Sequence, residues 1–156
     1  MIAYIALGSN LGDRLKNIAE GMARLAKLGQ TTPSPLIMEC GDESGMGPPY
    51  LNTAARLDNH LVCPRALLEE CLRIEIACGR DRSLPPNSPR TLDIDLISVD
   101  GWSGSWEWTA PKGLEIVSPR LTLILPHPRA GLRDFVIKPL EALGETIPAS
   151  RQPLRD

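Results

Sequence analysis

An α+β sandwich is predicted by three features of this 156-residue sequence. Two segments, at about 13–28 and 63–79, repeat apolar residues at steps of three and four, as amphipathic helices do. Short apolar runs flank both segments. One of these runs, PRTLDIDLI at 89–97, alternates acid with aliphatic in the manner of a strand. The elements then follow the order β-α-β-β-α-β, the ferredoxin-like pattern, with an added C-terminal hairpin and helix.

Each element has its own justification. Ile2–Leu7 is apolar at successive positions and predicts a strand buried on both faces. GSNLGDR is a glycine-punctuated turn. The helix after it runs from about Asp13 to Leu28, with Leu15, Ile18, Met22, Leu25 and Leu28 on its apolar side, and Pro33 and Pro35 end that unit. Strands are placed at Leu36–Glu39 and Tyr50–Asp58, separated by the loop CGDESGMGPP. In CPRALLEECLRIEIACG, Pro64 suits a first helical turn and Gly79 a C-terminal cap. GRDRSLPPNSP is a loop. Beyond the aspartate strand, WEWT reads as a strand with KGLEIV as its hairpin partner, and Trp102, Trp106 and Trp108 are expected to cap the core. Leu121–Leu125 and PHPRAGLRDFVIKPLEALG return to the body, and a polar tail, about 146–156, is expected to be poorly ordered.

The composition narrows the function classes. One domain spanning 1–156 is long enough for a real core. A net charge of −2, from 17 basic and 19 acidic residues, provides no overall attraction to nucleic acid or membrane. Cys40, Cys63, Cys71 and Cys78 lack CxxC spacing, which argues against zinc and for small reduced residues, as in a cytoplasmic protein. The opening MIAYIALGSN is too short an apolar run to span a bilayer and lacks the basic start of a signal peptide.

PRTLDIDL carries the chemistry. Residues two apart in a strand share a face, so Asp93 and Asp95 point one way with Thr91, while Leu92, Ile94 and Leu96 point into the core. Two carboxylates this close repel one another unless a cation joins them. Mg²⁺ suits hard oxygen ligands, and one or two carboxylates plus substrate phosphates complete its shell. Arg80, Arg82 and Arg90 precede the pair, and Arg120, Arg129, Arg133 and Lys138 follow it against one acid, Asp134. Guanidinium forks bind phosphate oxygens, and His127, held between two prolines, is a further donor. The constellation predicts phosphoryl chemistry on a polyphosphate, without a P-loop or a kinase signature set.

AYIALGSNLGDR, YLN at 50–52, GRDRSLPPNSPRTLDIDLI and LPHPRAGLRDFVIKPL together resemble 6-hydroxymethyl-7,8-dihydropterin pyrophosphokinases, over about residues 2–143. The resemblance implies a ferredoxin-like fold and transfer of pyrophosphate from ATP to 6-hydroxymethyl-7,8-dihydropterin in folate biosynthesis, releasing AMP. It places two Mg²⁺ ions on Asp93 and Asp95, and ATP phosphates on Arg80, Arg82, Arg90, His127 and Arg133. The pterin falls to Asn52 at its edge and to Tyr50 and Phe135 on its faces. Arg82, Arg90 and Asp95 are the expected catalytic residues, in a cytoplasmic monomer. Pro86 and Asn87 stand where the family often carries an aromatic and a basic residue. They keep a second reading open, a pterin- or nucleotide-binding homologue with weak or no turnover.

Overall fold

The computed structural model describes residues 1–45 and 47–144, and the tail at 146–156 lies outside them. In chain order the elements are β1 (Ile2–Ser9), α1 (Arg14–Leu25), β2 (Gly29–Pro33), β3 (Met38–Cys40), β4 (Tyr50–Asn59), α2 (Pro64–Ala77), β5 (Asp93–Val99), β6 (Gly104–Thr109), β7 (Arg120–Leu125) and α3 (Asp134–Glu141). The strands form an antiparallel sheet ordered β2-β4-β1-β5, with β3 also on β4, and a separate β6–β7 pair. Mixed helices and antiparallel sheets make this an α+β protein.

β1 is the centre of the sheet, and its alternation explains why. Ala3, Ile5 and Leu7 point into one core with Leu57, Leu67, Leu92 and Leu96, on the side that α1 and α2 cover. Tyr4 and Ala6 point into another, with Ile97, Val136 and Leu140, on the side that α3 covers. The register slips between Tyr4 and Ile5. The slip leaves Ile97 without a partner on β1, and Leu96 and Ile97, adjacent and so on opposite faces, are both buried.

The helices are shorter than expected or end as expected, for local reasons. Asp13 caps α1, accepting from Lys16 N at 3.1 Å. α1 stops at Leu25, three residues early, and Leu15 at its start is 55% exposed rather than core. Gly79 follows α2 with φ +93°, the left-handed conformation expected of a helix-terminating glycine.

Two pairings differ from the sequence expectation. The edge beside β4 is split: β2 pairs with its C-terminal half and β3 with its N-terminal half. The stretch Pro33-Ser34-Pro35, expected only to terminate the helical unit, separates the two, since proline cannot donate to a ladder. The expected strand at Leu36–Glu39 accordingly lies slightly later, at Met38–Cys40. The partner of WEWT is β7, with Trp106 opposite Leu123 and Trp108 opposite Leu121. KGLEIV is instead a compact turn, with Gly113 at φ +95° and Leu114 fully buried. Trp106 and Trp108 pack on the main core as expected, whereas Trp102 stays 38% exposed, edge-on to Trp106.

Cys71 and Cys78 are buried and Cys40 and Cys63 half-buried, all four as free thiols. Burial pushes the Cys71 thiol far above its ordinary range, which suppresses the reactive thiolate. A maleimide reagent should therefore label Cys40 and Cys63 in the native protein and all four thiols in urea. Rapid native labelling of Cys71, read by peptide mass spectrometry, would contradict this packing.

Candidate active site

Three loops and the start of β5 converge at one end of the sheet. The hub is Asn10, in the GSN turn after β1, which is 1% exposed. Its Oδ1 accepts from Arg90 N at 2.8 Å and its Nδ2 donates to Pro48 O at 3.2 Å. One side chain thus anchors both the loop before β4 and the loop before β5. Arg133 closes the other side, its guanidinium 3.0 Å from the Glu43 carboxylate and 5.6 Å from the Phe135 ring centre.

Asp93 and Asp95 stand on the face opposite Leu92, Ile94 and Leu96, which are all buried, as alternation predicts. β1 runs beside them with Gly8 opposite Asp93 and Ala6 opposite Asp95. The two carboxylates differ in their company. Asp93 has Arg80 at 3.0 Å and Arg90 at 3.6 Å. Asp95 has no ion pair of this kind among the described residues. Burial, then the charges of Asp93 and Glu75, push its carboxyl up to about 7.

Two cavities meet at this pair. The first is lined by Tyr50, Asn52 and Phe135 together with Gly8 and Cys40. The second is lined by Arg80, Arg82 and His127. Arg90, Asp93, Asp95, Arg129 and Arg133 line both. Every residue that the resemblance assigns to the site lines one or both cavities, with the aspartates at the junction, whereas Arg120 and Lys138 line neither, Arg120 pairing with Glu107 on β6 instead.

His127 N donates to Ile97 O at 2.7 Å, which pins the PHPR turn to β5. Its Nδ1 accepts from Arg129 N at 3.2 Å, so the ring proton sits on Nε2. Burial, then the charges of Arg133 and Arg129, hold its pKa below the usual value and favour this neutral form. A neutral imidazole in this tautomer can donate a hydrogen bond from Nε2 to an anionic oxygen.

Glu75 was not among the sequence candidates. It lies on α2, 1% exposed, and accepts from Arg80 at 2.6 Å, Arg82 at 2.7 Å and Ile94 N at 3.0 Å. Burial raises its pKa, and the guanidiniums of Arg80 and Arg82 oppose that shift. The signal was present: an acid four residues after Cys71, on a helix face that is otherwise aliphatic. With Arg82 held at one nitrogen, its buried Nε has no partner among the described residues.

Among the described residues no group of three or more His, Cys, Asp or Glu side chains is arranged to hold a metal. Asp93 and Asp95 are two hard oxygen donors on one face of the strand, and Asp95 has no ion-pair partner of its own among the described residues. That donor set fits a Mg²⁺ ion whose remaining ligands are phosphate oxygens and water.

The family model of 7,8-dihydro-6-hydroxymethylpterin-pyrophosphokinase (HPPK) matches residues 4–145. The chain belongs to this family. Its relatives include the 2-amino-4-hydroxy-6-hydroxymethyldihydropteridine pyrophosphokinase of Methylorubrum extorquens, 30% identical over 99% of this chain and 89% of that protein. The enzymes of the same name from Mycobacterium tuberculosis and Bacillus subtilis are 33% and 31% identical, over 91% and 94% of this chain and 72% and 80% of theirs. As a pyrophosphokinase of this family the chain is an ATP-dependent diphosphotransferase. No helix among the described residues is long and apolar enough to cross a membrane.

Proposed function

We propose that the chain transfers pyrophosphate from ATP to 6-hydroxymethyl-7,8-dihydropterin, with the phosphates in the arginine-lined cavity and the pterin in the Tyr50–Phe135 cavity. The observation that carries this reading is the acid pair at the junction, where Arg90 and Arg133 also line both cavities. A reacting hydroxymethyl group and a β-phosphorus would meet there and nowhere else along the two walls.

The residues divide the work. Tyr50 and Phe135 supply flat faces for the heterocycle, and Asn52 supplies a donor and an acceptor for its edge. Arg80, Arg82, Arg90, Arg133 and His127 Nε2 bind the phosphates. Arg82 and Arg90 neutralise charge that spreads over the phosphate oxygens as the P–O bond breaks. Asp93 and Asp95 would hold two Mg²⁺ ions; bound with ATP, these would polarise the β-phosphorus and lower the pKa of the attacking hydroxyl. The hydroxyl oxygen bonds to the β-phosphorus as the bond to the α-phosphate oxygen breaks, and AMP leaves with that oxygen.

The antiparallel order β2-β4-β1-β5 supports a ferredoxin-like arrangement, and a family match over 4–145 supports one pyrophosphokinase domain. A cytoplasmic monomer completes the reading.

The test is incubation of the purified protein with ATP, Mg²⁺ and the dihydropterin, with AMP quantified by chromatography. AMP equal to the pyrophosphorylated pterin is expected. Binding of both substrates without AMP would replace this reading with a non-catalytic binding homologue. Asn87, held at φ +65° in the loop that carries Arg80, Arg82 and Arg90, is where that failure would originate.

A further inference from the structure

The amide of Asn52 is held from two sides, by Gly8 at the head of the GSN segment and by Cys40 on β3. Gly8 on β1 lies opposite Asn52 in the β1–β4 ladder. A Cβ at Gly8 would stand 2.8 Å from Asn52 Oδ1 and 3.3 Å from Tyr50 Cδ1. The amide oxygen and the edge of the tyrosine ring therefore occupy space that any other residue at position 8 would fill. At the other end of the amide, Nδ2 donates to Cys40 Sγ at 2.9 Å. Cys40 reaches it because β3 pairs with β4, Cys40 opposite Tyr50 and Met38 opposite Asn52. Asn52 itself is 8% exposed, so few alternative rotamers are open to it.

We propose that Gly8 and Cys40 are positioning residues that hold the Asn52 amide in one rotamer, with its donor and acceptor placed for a heterocycle edge, and so set the affinity of the pterin cavity. The inference rests on the pterin occupying that cavity, as above. An amide free to change rotamer must be ordered when the heterocycle binds, which weakens binding. One tethered by a thiol at one end, with the other end seated over a glycine, is already in place. The energy at stake is that of one buried hydrogen bond left mismatched, about tenfold in affinity.

The test measures the affinity of the full chain for 6-hydroxymethylpterin, by its fluorescence, with a non-hydrolysable ATP analogue present. The affinity for the analogue alone is measured beside it. Gly8→Ala and Cys40→Val should each weaken pterin binding about tenfold and leave the nucleotide affinity within about twofold. Cys40→Ser, which restores a hydrogen-bonding group of similar size, should recover most of the loss. Pterin and nucleotide affinities falling together in either variant would overturn the proposal, as would wild-type pterin affinity in Cys40→Val. Asn52→Ala separates the two levels of argument. Loss of pterin binding there, with Gly8→Ala and Cys40→Val unaffected, removes this inference and leaves the cavity assignment standing. Failure of the wild-type chain to bind the pterin removes both.

Discussion

Turnover in Asp95→Ala should fall by at least about a hundred- to a thousand-fold, the scale on which loss of a charge-stabilising group acts, while the folded protein becomes no less stable. The second half of that expectation gives the prediction its edge. In the metal-free protein Asp95 sits beside Asp93, and burial and like charge hold its carboxyl up to about 7. Its folded pKa is thus above the ordinary value of 3.8. Between about pH 4 and 7 the folded state holds the proton more tightly than the unfolded state does. Stability from this group is therefore present below pH 4 and is lost as pH rises toward 7. Alanine removes that loss. Thermal melts in chelator should show the wild type losing stability over this window and Asp95→Ala losing less. A residue kept for packing would behave in the opposite sense, destabilising the fold on removal. Near-normal turnover in the variant would end the assignment of Asp95 to the phosphate-transfer machinery.

That asymmetry also explains which parts of the site could be read in the sequence. Alternation in PRTLDIDL placed both carboxylates on the face away from Leu92 and Ile94 because strand geometry is local and has a period of two. β1 could be placed centrally because it is apolar at successive positions, and both faces are indeed covered. Pairing is not local in this way. β2 is GQTTP, with no apolar alternation to mark it, and only its register with β4 makes it a strand. WEWT could have paired with either downstream apolar run. Gly113, which adopts a positive φ, bends the nearer one and leaves Leu121–Leu125 as the partner. Within the site, residues whose chemistry faces a ligand were legible by type. Those that face the rest of the protein were not: Asn10 joins the backbone of two loops 38 and 80 residues away in sequence, and no spacing rule connects such positions.

Glu75 belongs to that second group, and its removal is the other large effect expected. Its carboxylate is the common partner of Arg80 and Arg82 and also accepts from Ile94 N, between the two aspartates. Glu75→Gln preserves the shape of the side chain and removes the charge. Two guanidiniums are largely buried beside it, 12% and 21% exposed at the side chain; Arg82 then loses its counter-ion and Arg80 keeps only Asp93. Breaking a buried ion pair from one side costs about 3–5 kcal/mol, and a glutamine that keeps one acceptor should fall toward the lower end of that range. The denaturation midpoint in urea should drop accordingly. Arg80 already lies 3.0 Å from Asp93 and would swing further toward it, away from the position that Glu75 dictates. ATP affinity and kcat should both fall, about ten- to a hundredfold in kcat/KM, the range in which misplacement of a reacting group acts. Pterin affinity should hold, since no bond of Glu75 reaches the Tyr50–Phe135 cavity. If Glu75 were only a strut between α2 and β5, stability would fall while kcat per folded molecule stayed at its wild-type value. Comparing urea midpoints with turnover normalised to folded protein separates the two, because only a carboxylate that aims Arg80 and Arg82 at the phosphates ties the loss of stability to a loss of rate.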